Sequence, residues 1–386
     1  MNFGFSDDQR QLRKALREFT EAEIRPHVME WDESQHFPVQ VFRSLGELGV
    51  LGAVFPEDLG GSGYSYVDYA IVMEELARVD PSIALSVAAH VSLCTNHIYT
   101  AGTDEQKRRY IPKLASGEWI GSWSLTEPEA GSDAGQARAS AVREGASPDS
   151  GCWVLNGIKT FTTNAHVADV GVVMAVTDRS ASSHGISAFI IENGTPGYSF
   201  GKKENKLGMR CSPTGDVLLK NCRLPASQVC GKVGEGFVDS LRILDGGRIS
   251  IAALAVGVAQ GAYEAALVYS KQRKQFSRFI SEFQSIQNKL ADMATEIDAA
   301  RLLTQRAAWL KDSGASVNKE SSMAKLFASE TAVRVSNEAV QIHGGYGFIK
   351  DYPVEKFFRD AKLCTIGEGT SEIQRLVIAR QLLKSS

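Results

Sequence analysis

The chain has 386 residues, is 43% hydrophobic and 23% charged, and carries a net charge of -3. That length supports two or three domains or one large composite fold, with the ordinary composition of a soluble globular protein. The near-neutral balance excludes bulk electrostatic attraction to nucleic acid or an anionic membrane, so any anionic ligand must be held by local groups.

The N-terminus, from Met1 to Asp8, has no basic segment followed by an apolar run, and no stretch reads as a membrane span. Ser6 and Gln9 have capping-box spacing and open a helix towards Trp31, with Leu12, Leu16, Phe19 and Ile24 on one stripe. A second helix is expected from Pro38 to near Gly49, burying Val41, Phe42, Leu45 and Leu48. Phe55 to Gly63 is a Gly/Pro-rich loop. Helical patterns return from Tyr66 to Arg78, after Pro81, and from Asp104 to Leu114. Residues 1–116 therefore read as a helical domain.

The character changes near Gly117. Asn156-Gly157 between β-formers predicts a hairpin turn, and Ala139 to Cys152 reads as an exposed connection. Apolar runs at Val170–Val176, Ile186–Ile191 and Val217–Leu219 complete a β-rich, barrel- or sandwich-like middle domain, residues 117–232. From Gly236 a 3.6-residue period resumes, with Leu290, Met293, Ile297 and Ala300 on one face and a further helix from Asn318 to Val340. Residues 233–386 read as a C-terminal helical bundle, giving an α+β chain in the order helical, β, helical. The six cysteines (Cys94, Cys152, Cys211, Cys222, Cys230, Cys364) form no C-x-x-C pair, and no histidine stands at metal-ligand spacing. Reduced thiols in a cytosol-like compartment are expected, with no metal site, and a processed mitochondrial form is equally compatible.

Several stretches can carry chemistry. Glu368 lies between Gly367 and Gly369, just before a helix whose start reads as a capping box of Ser371 and Gln374. A carboxylate so presented can act as a base on a flat ligand lying against the glycines, and the plainer alternative is an acidic residue at a positive helix terminus. Leu125 to Gly135 offers hydroxyls and flexible backbone for a cofactor's polar edge, or is an ordinary polar loop. Phe161 to Asn164 can pack on a ring, or is core and strand formers. Asp245-Gly246-Gly247-Arg248 precedes an apolar helix from Ile249 to Leu267; Arg248 can orient a ligand or pair with Asp245. Arg273, Lys274 and Phe276 suit a pyrophosphate and adenine, or a solvated helix end. His343, beside Gly344 and Gly345, reads as a turn or packing residue.

Together, and in this order along essentially the whole chain, these motifs resemble the acyl-CoA dehydrogenase family. The resemblance implies bound FAD and α,β-dehydrogenation of an acyl-CoA thioester. Glu368 matches the base that removes the α-proton while the β-hydride goes to flavin N5. By the same likeness the thioester carbonyl is held by the Glu368 backbone N–H and a ribityl hydroxyl. Closing the site around the acyl chain is expected to desolvate Glu368 and raise its pKa towards roughly 6–7. Trp123, Leu125, Thr126, Gly131 and Ser132 match positions along the flavin and its phosphates, with Phe161, Thr162 and Thr163 closing on the ring. Arg273, Phe276, Gln284, Gln341, Ile342, His343, Gly344 and Gly345 match positions that reach the FAD of a neighbouring subunit. Thr370, Ser371 and Glu372 match the pyrophosphate end. Ser132, Asp245, Gly246, Gly247, Arg248 and Gly369 match substrate-contacting positions.

The resemblance further implies a homotetramer built as a dimer of dimers, with an electron-transfer flavoprotein as electron acceptor. Many family members carry Tyr where this chain has Gly367, which implies a wider pocket beside the α-carbon for branched or bulkier acyl groups. Some members place the base immediately before the arginine matching Arg248. Gly247 stands there and leaves Glu368 as the base. Asp351 to Lys356 is similar to short-branched-chain members. An oxygen-using acyl-CoA oxidase of the same fold and a catalytically silent FAD- or CoA-binding scaffold are the alternatives.

Overall fold

Ser6 opens the first helix as its spacing dictates: its hydroxyl accepts from Gln9 N, and the Gln9 amide oxygen accepts from Ser6 N. A computed structural model describes residues 4–145 and 151–384 of the chain. The first helix, α1 (Asp7–Phe19), does not run unbroken to Trp31. A π turn at Thr20–Ile24 and a 3-10 turn at Arg25–His27 intervene before α2 (Val28–Ser34), because Pro26 lacks the N–H that an α-helix interior needs. Helix α3 (Val39–Glu47) buries Phe42 and Leu45 as expected, whereas Leu48, past its end, is 41% exposed. The N-terminal helical region continues through α4 (Tyr66–Val79), α5 (Pro81–Ala88), α6 (Asn96–Ala101) and α7 (Asp104–Ala115).

The middle region is an eight-stranded sheet. Its strands are β1 (Gly121–Ser124), β2 (Ser140–Glu144), β3 (Cys152–Thr163), β4 (Val170–Val176), β5 (Ile186–Glu192), β6 (Tyr198–Lys203), β7 (Thr214–Pro225) and β8 (Val229–Cys230). They run in the order β6-β7-β3-β2-β4-β5-β8, with β1 paired to β4. Two expectations are corrected. Asn156-Gly157 is not a hairpin turn but a point inside β3, where the register against β7 shifts between Leu155 and Gly157. Ala139 to Cys152 is not wholly a connection, since β2 pairs with β3 from Ser140↔Asn156 to Glu144↔Cys152; residues 146–150 lie outside the described residues. Gly157 is needed for its conformation, at φ +148, and for space, since a Cβ there would lie 2.6 Å from Ala139 Cα.

The C-terminal region is a helical bundle of α8 (Gly236–Gln272), α9 (Gln284–Asp312), α10 (Asn318–His343), α11 (Val354–Cys364) and α12 (Ser371–Lys384). A two-residue hairpin, β9 (Lys274–Gln275) with β10 (Arg278–Phe279), follows α8. α8 starts well before Ile249, so Asp245 to Arg248 lie inside it rather than ahead of it. Contrary to the expectation that no stretch is long enough for a membrane span, it is long and apolar enough to cross one, yet it runs through the core, and Ile249 to Ala259 are buried. One continuous apolar core links α4, α8, α10 and the inner face of the sheet, and a second, smaller one lies within the sheet around Trp153, Phe189 and Val217.

Replacing Gly157 with Ala should lower stability by about 1–3 kcal/mol, from the forced positive φ and the collision with Ala139. A thermal melt of the variant overlaying that of the parent would contradict the role given to this residue.

Candidate active site

Glu368 sits in the turn between α11 and α12 with φ +53, a conformation that a non-glycine residue adopts only where its surroundings impose it. Gly369 follows at φ +95, and a Cβ there would lie 2.8 Å from Gln374 Nε2, so only glycine fits. The carbonyls of the turn are tied from below. Gln374 Nε2 donates to Glu368 O at 3.2 Å and to Gly369 O at 3.0 Å, and Lys325 Nζ donates to Gly369 O at 2.6 Å. The expected capping box of α12 is not formed. Thr370 caps instead, its Oγ1 accepting from Ile373 N at 3.3 Å, because Gln374 is engaged with the turn.

The carboxylate points at α8. A Cβ placed on Gly247 would stand 2.2 Å from Glu368 Oε2, so the second glycine of Asp245-Gly246-Gly247-Arg248 is the floor on which the acid rests. Oε2 is buried and has no hydrogen-bond partner among the described residues. Burial therefore pushes the Glu368 pKa up to about 7, against the opposing positive charges of Lys325 and Arg248. No bound acyl chain is needed for this shift. Arg248 is itself 5% exposed, and its guanidinium pairs with Asp245 at 2.8 Å while its Nε is buried and unpartnered. Asn318 Nδ2 also donates to Asp245, at 2.9 Å. Of the two sequence readings of Arg248, the pairing with Asp245 is formed. Around Gly246 stand the Tyr66 hydroxyl and Asn96 Nδ2, at 3.5 and 3.9 Å from an added Cβ.

Asn96 and its neighbour His97, at the start of α6, connect this centre to the sheet. Trp123 Nε1, on β1, donates to His97 Nδ1 at 3.0 Å, and burial lowers the His97 pKa to about 4, so the imidazole is neutral. Beside Trp123, Ser124 shares a hydrogen bond with Thr162 at 3.0 Å. A register shift between Lys159 and Thr162 turns β3 outwards at this point. Phe161 takes φ +54 and is 65% exposed, while Thr162 is buried. Thr163 completes β3 and is half-buried. Leu125 and Thr126 are joined to β3 by Lys159 Nζ donating to Leu125 O (3.1 Å) and Thr160 N donating to Thr126 O (2.9 Å). The exposed residues Gly131 and Ser132 extend from that base, and Gly131 has open space on its Cβ side.

Sequence reasoning missed what anchors this loop. Fully buried Lys159 pairs with Glu127 at 2.7 Å, and Glu127 also accepts from the backbone N–H groups of Arg138 (2.6 Å) and Ala139 (3.0 Å). The charged pair Glu127…Lys159 was visible in the sequence, but a contact between positions so far apart leaves no local pattern. Also unread was the buried hydroxyl chain Tyr69–Ser92–Ser250, with O···O distances of 3.0 and 2.6 Å.

The remaining candidates form a separate cluster. Arg273, just past α8, lies with its guanidinium 5.2 Å from the centre of the Tyr346 ring. His343 packs as expected, stacked on Tyr269 with ring centres 4.2 Å apart, and is buried with Ile342. Gln341 is exposed in the last turn of α10, and Gly344 and Gly345 are exposed just past its end. Phe276 is 88% exposed at the tip of the β9–β10 hairpin, and Gln284 opens α9 nearby. The helical residues from Gly247 to Arg273 place this cluster about 39 Å along α8 from the Glu368 carboxylate. At the other end of the site, Ser371 Oγ is buried without a partner in the first turn of α12. Glu372 is exposed there, and its carboxylate is held low first by its own backbone N–H and then by the Thr370 hydroxyl.

A buried carboxylate of raised pKa resting on a helix glycine is the kind of group found at sites of proton transfer. Comparison with known proteins places the chain in a family. Models of the acyl-CoA dehydrogenase N-terminal, middle and C-terminal domains match residues 6–118, 122–222 and 234–383. The chain is 50% identical, over 100% of both chains, to a probable acyl-CoA dehydrogenase, YngJ, of Bacillus subtilis (strain 168). Its fold matches the butyryl-CoA dehydrogenase of Megasphaera elsdenii with a TM-score of 0.96 at 42% identity, covering 99% of this chain and 100% of that one. It matches a chain from a structure described as the electron transferring flavoprotein of Acidaminococcus fermentans with a TM-score of 0.97 at 44% identity, covering 100% of both. The chain belongs to the acyl-CoA dehydrogenase family and is an oxidoreductase of that class.

Gly247→Ala should leave the fold intact, since Ala is the better helix former by about 1 kcal/mol. It should lower turnover by about 10²-fold or more, because the added methyl displaces the carboxylate from its resting place. Unchanged turnover would mean that the carboxylate's rest on Gly247 is unimportant to the chemistry.

Proposed function

We propose that the protein removes two hydrogens from the α and β carbons of a short or branched acyl-CoA thioester, using bound FAD, and that Glu368 is the base. The observation that carries this reading is the buried, unpartnered Glu368 Oε2 over Gly247, with a pKa raised to about 7. A carboxylate of that pKa is both ionised enough to act and basic enough to take a proton near neutral pH. In the turn, the Glu368 backbone N–H donates to the thioester carbonyl and stabilises the charge that develops there as the α-proton leaves for the carboxylate. A catalytically silent scaffold has no use for such a group, since an ionised carboxylate buried without a partner weakens the fold.

The residues present fit FAD. Exposed Phe161 offers a ring face, Trp123 and Thr162 a wall, and Thr126, Gly131 and Ser132 a polar loop with room beside Gly131. The orphaned Ser371 hydroxyl in the first turn of α12 suits a phosphate oxygen, which must displace the exposed Glu372 carboxylate from that positive end. When bound, FAD supplies the two-electron acceptor for the β-hydride. Arg273, Phe276, Gln284 and the Gln341–Gly345 turn stand too far from Glu368 to share one dinucleotide with it inside a single chain. Their role in this reading is to hold the FAD of a neighbouring subunit within a dimer of dimers. Sedimentation of the holoprotein as a monomer at working concentration would contradict that. An electron-transfer flavoprotein is the proposed acceptor.

Gly367 has space for a side chain: a Cβ would meet only Leu363, at 3.5 Å or more. The pocket beside the α-carbon is therefore open to branched or bulkier acyl groups. In an anaerobic titration with straight and branched acyl-CoAs, the flavin absorbance should bleach, with branched short chains among the effective substrates. Glu368→Gln should keep FAD bound and lose bleaching by at least about 10³-fold. A Gln variant that bleaches at the parent rate removes Glu368 from the role of base, and bleaching by straight chains alone removes the argument from Gly367.

A further inference from the structure

A second buried charge stands beside the base, and neither the reaction nor the family match accounts for it. Lys325, on α10, is fully buried, and its ammonium makes one hydrogen bond among the described residues, to Gly369 O. An ammonium has three protons to donate, and taking it out of water without a paired carboxylate costs several kcal/mol. A methionine of similar length would fill the same space without that penalty. Lys325 therefore contributes something that packing alone does not.

We infer that Lys325 is a positioning residue for Glu368: its ammonium holds the strained turn through the Gly369 carbonyl and keeps the neighbouring carboxylate available in its ionised form. The geometry carries the first half, and places the ammonium one residue from Glu368 for the second. The turn has two successive residues at positive φ, Glu368 and Gly369, and its carbonyls are restrained by Lys325 and Gln374. Without the Lys325 bond, Gly369 O would face a buried amine-shaped gap, and the turn would lose a charge-assisted bond that opposes its relaxation.

Titratable groups from every neighbouring element surround Glu368 and Lys325. From α8 come Arg248 and Asp245, which largely neutralise one another through their 2.8 Å pair. From α4 comes Tyr69, whose phenol burial pushes upwards and keeps neutral. From α11 comes the thiol of Cys364, pushed up by burial to about 12 and so neutral as well. From α12 comes the exposed carboxylate of Glu372. Of the two cations that act on the base, Lys325 makes no ion pair with a carboxylate among the described residues, and its charge lowers the Glu368 pKa while burial raises it. Burial lowers Lys325 itself to about 8, so it remains mostly protonated at pH 7, and the two groups titrate as a coupled pair.

The inference deepens the proposed reaction and rests on Glu368 being its base. The test compares the holoenzyme with Lys325→Met, which removes charge and hydrogen bond, and Lys325→Gln, which keeps a donor and removes only the charge. FAD content and melting temperature establish that each variant folds. The Glu368 carboxyl is then titrated directly by carbon-13 NMR of protein labelled on glutamate, its resonance assigned by its absence from Glu368→Gln. The midpoint near pH 7 should rise by about one unit or more in both variants, and the acidic limb of kcat/KM should move with it. At pH 7, kcat should fall about tenfold in the Met variant with KM changed much less, and the Gln variant should recover part of that loss. A midpoint that stays in place in both variants overturns the inference, because a merely structural lysine would leave it there. A midpoint that moves in a protein no acyl-CoA can reduce refutes the proposed reaction, and with it the service of Lys325 to a base, and leaves only the effect of its charge on the Glu368 carboxyl.

Discussion

The contact on which the rest of the molecule depends is that between the Glu368 carboxylate and Gly247. It requires three things at once: a helix passing through the centre of the protein, a gap in that helix's side chains, and a turn that aims an acid into the gap. α8 provides the first, through an apolar stretch long enough to be buried from Ile249 to Ala259. Two successive glycines provide the second, at a cost of about 1 kcal/mol each in helix propensity. The third comes from α11 and α12, whose joining turn holds Glu368 at positive φ because its carbonyls are bonded to Lys325 and Gln374. The helical bundle is arranged so that these elements meet at one carboxylate.

Holding the acid there weakens the fold. Raising a carboxyl pKa from 4.5 to about 7 means that the folded state disfavours the ionised form. The destabilisation is absent below the unfolded pKa, grows as pH rises, and levels off above the folded pKa at about 3 kcal/mol. That is a sizeable part of the roughly 5–15 kcal/mol by which domains are stable. The rest of the site shows the same pattern of local strain held by rigid surroundings. Phe161 keeps a positive φ at a β-bulge whose neighbours, Thr162 and Lys159, are bonded to β1 and to the Leu125–Glu127 segment. Glu368 and Phe161, the groups proposed to take a proton and to meet the flavin, sit at the strained points, while buried ion pairs and apolar helices hold them in place.

Much of this was legible in the sequence. The helical–β–helical order, the capping box of Ser6 and Gln9, and the strands at Val170–Val176 and Ile186–Glu192 follow from periodicity and capping chemistry. The run of motifs named the family, while Glu368 between two glycines drew attention as a base only in the company of those motifs. What the sequence misled on were places where tertiary pairing overrides a local signal. Asn156-Gly157 is a hairpin signal in isolation, but the long partner strand β7 keeps β3 extended through it, with Gly157 admitting the close approach of Ala139. Gly246-Gly247 reads as a helix boundary, whereas here the missing side chains make room for a carboxylate from the far end of the chain. Lys325, Lys159 and His97 were silent because a buried polar residue matters through its partner, and a partner distant in sequence leaves no period or spacing to read.

The most direct test of the central claim is the limiting rate constant of flavin reduction in a single anaerobic turnover, measured across pH with an effective acyl-CoA. If Glu368 is the base and must be ionised to act, the rate constant should rise about tenfold per pH unit on the acid side and level off above a midpoint near the value of about 7 set by burial. A rate constant flat from pH 5 to about 9 would contradict the account, since the proton would then be leaving to a group other than this carboxylate.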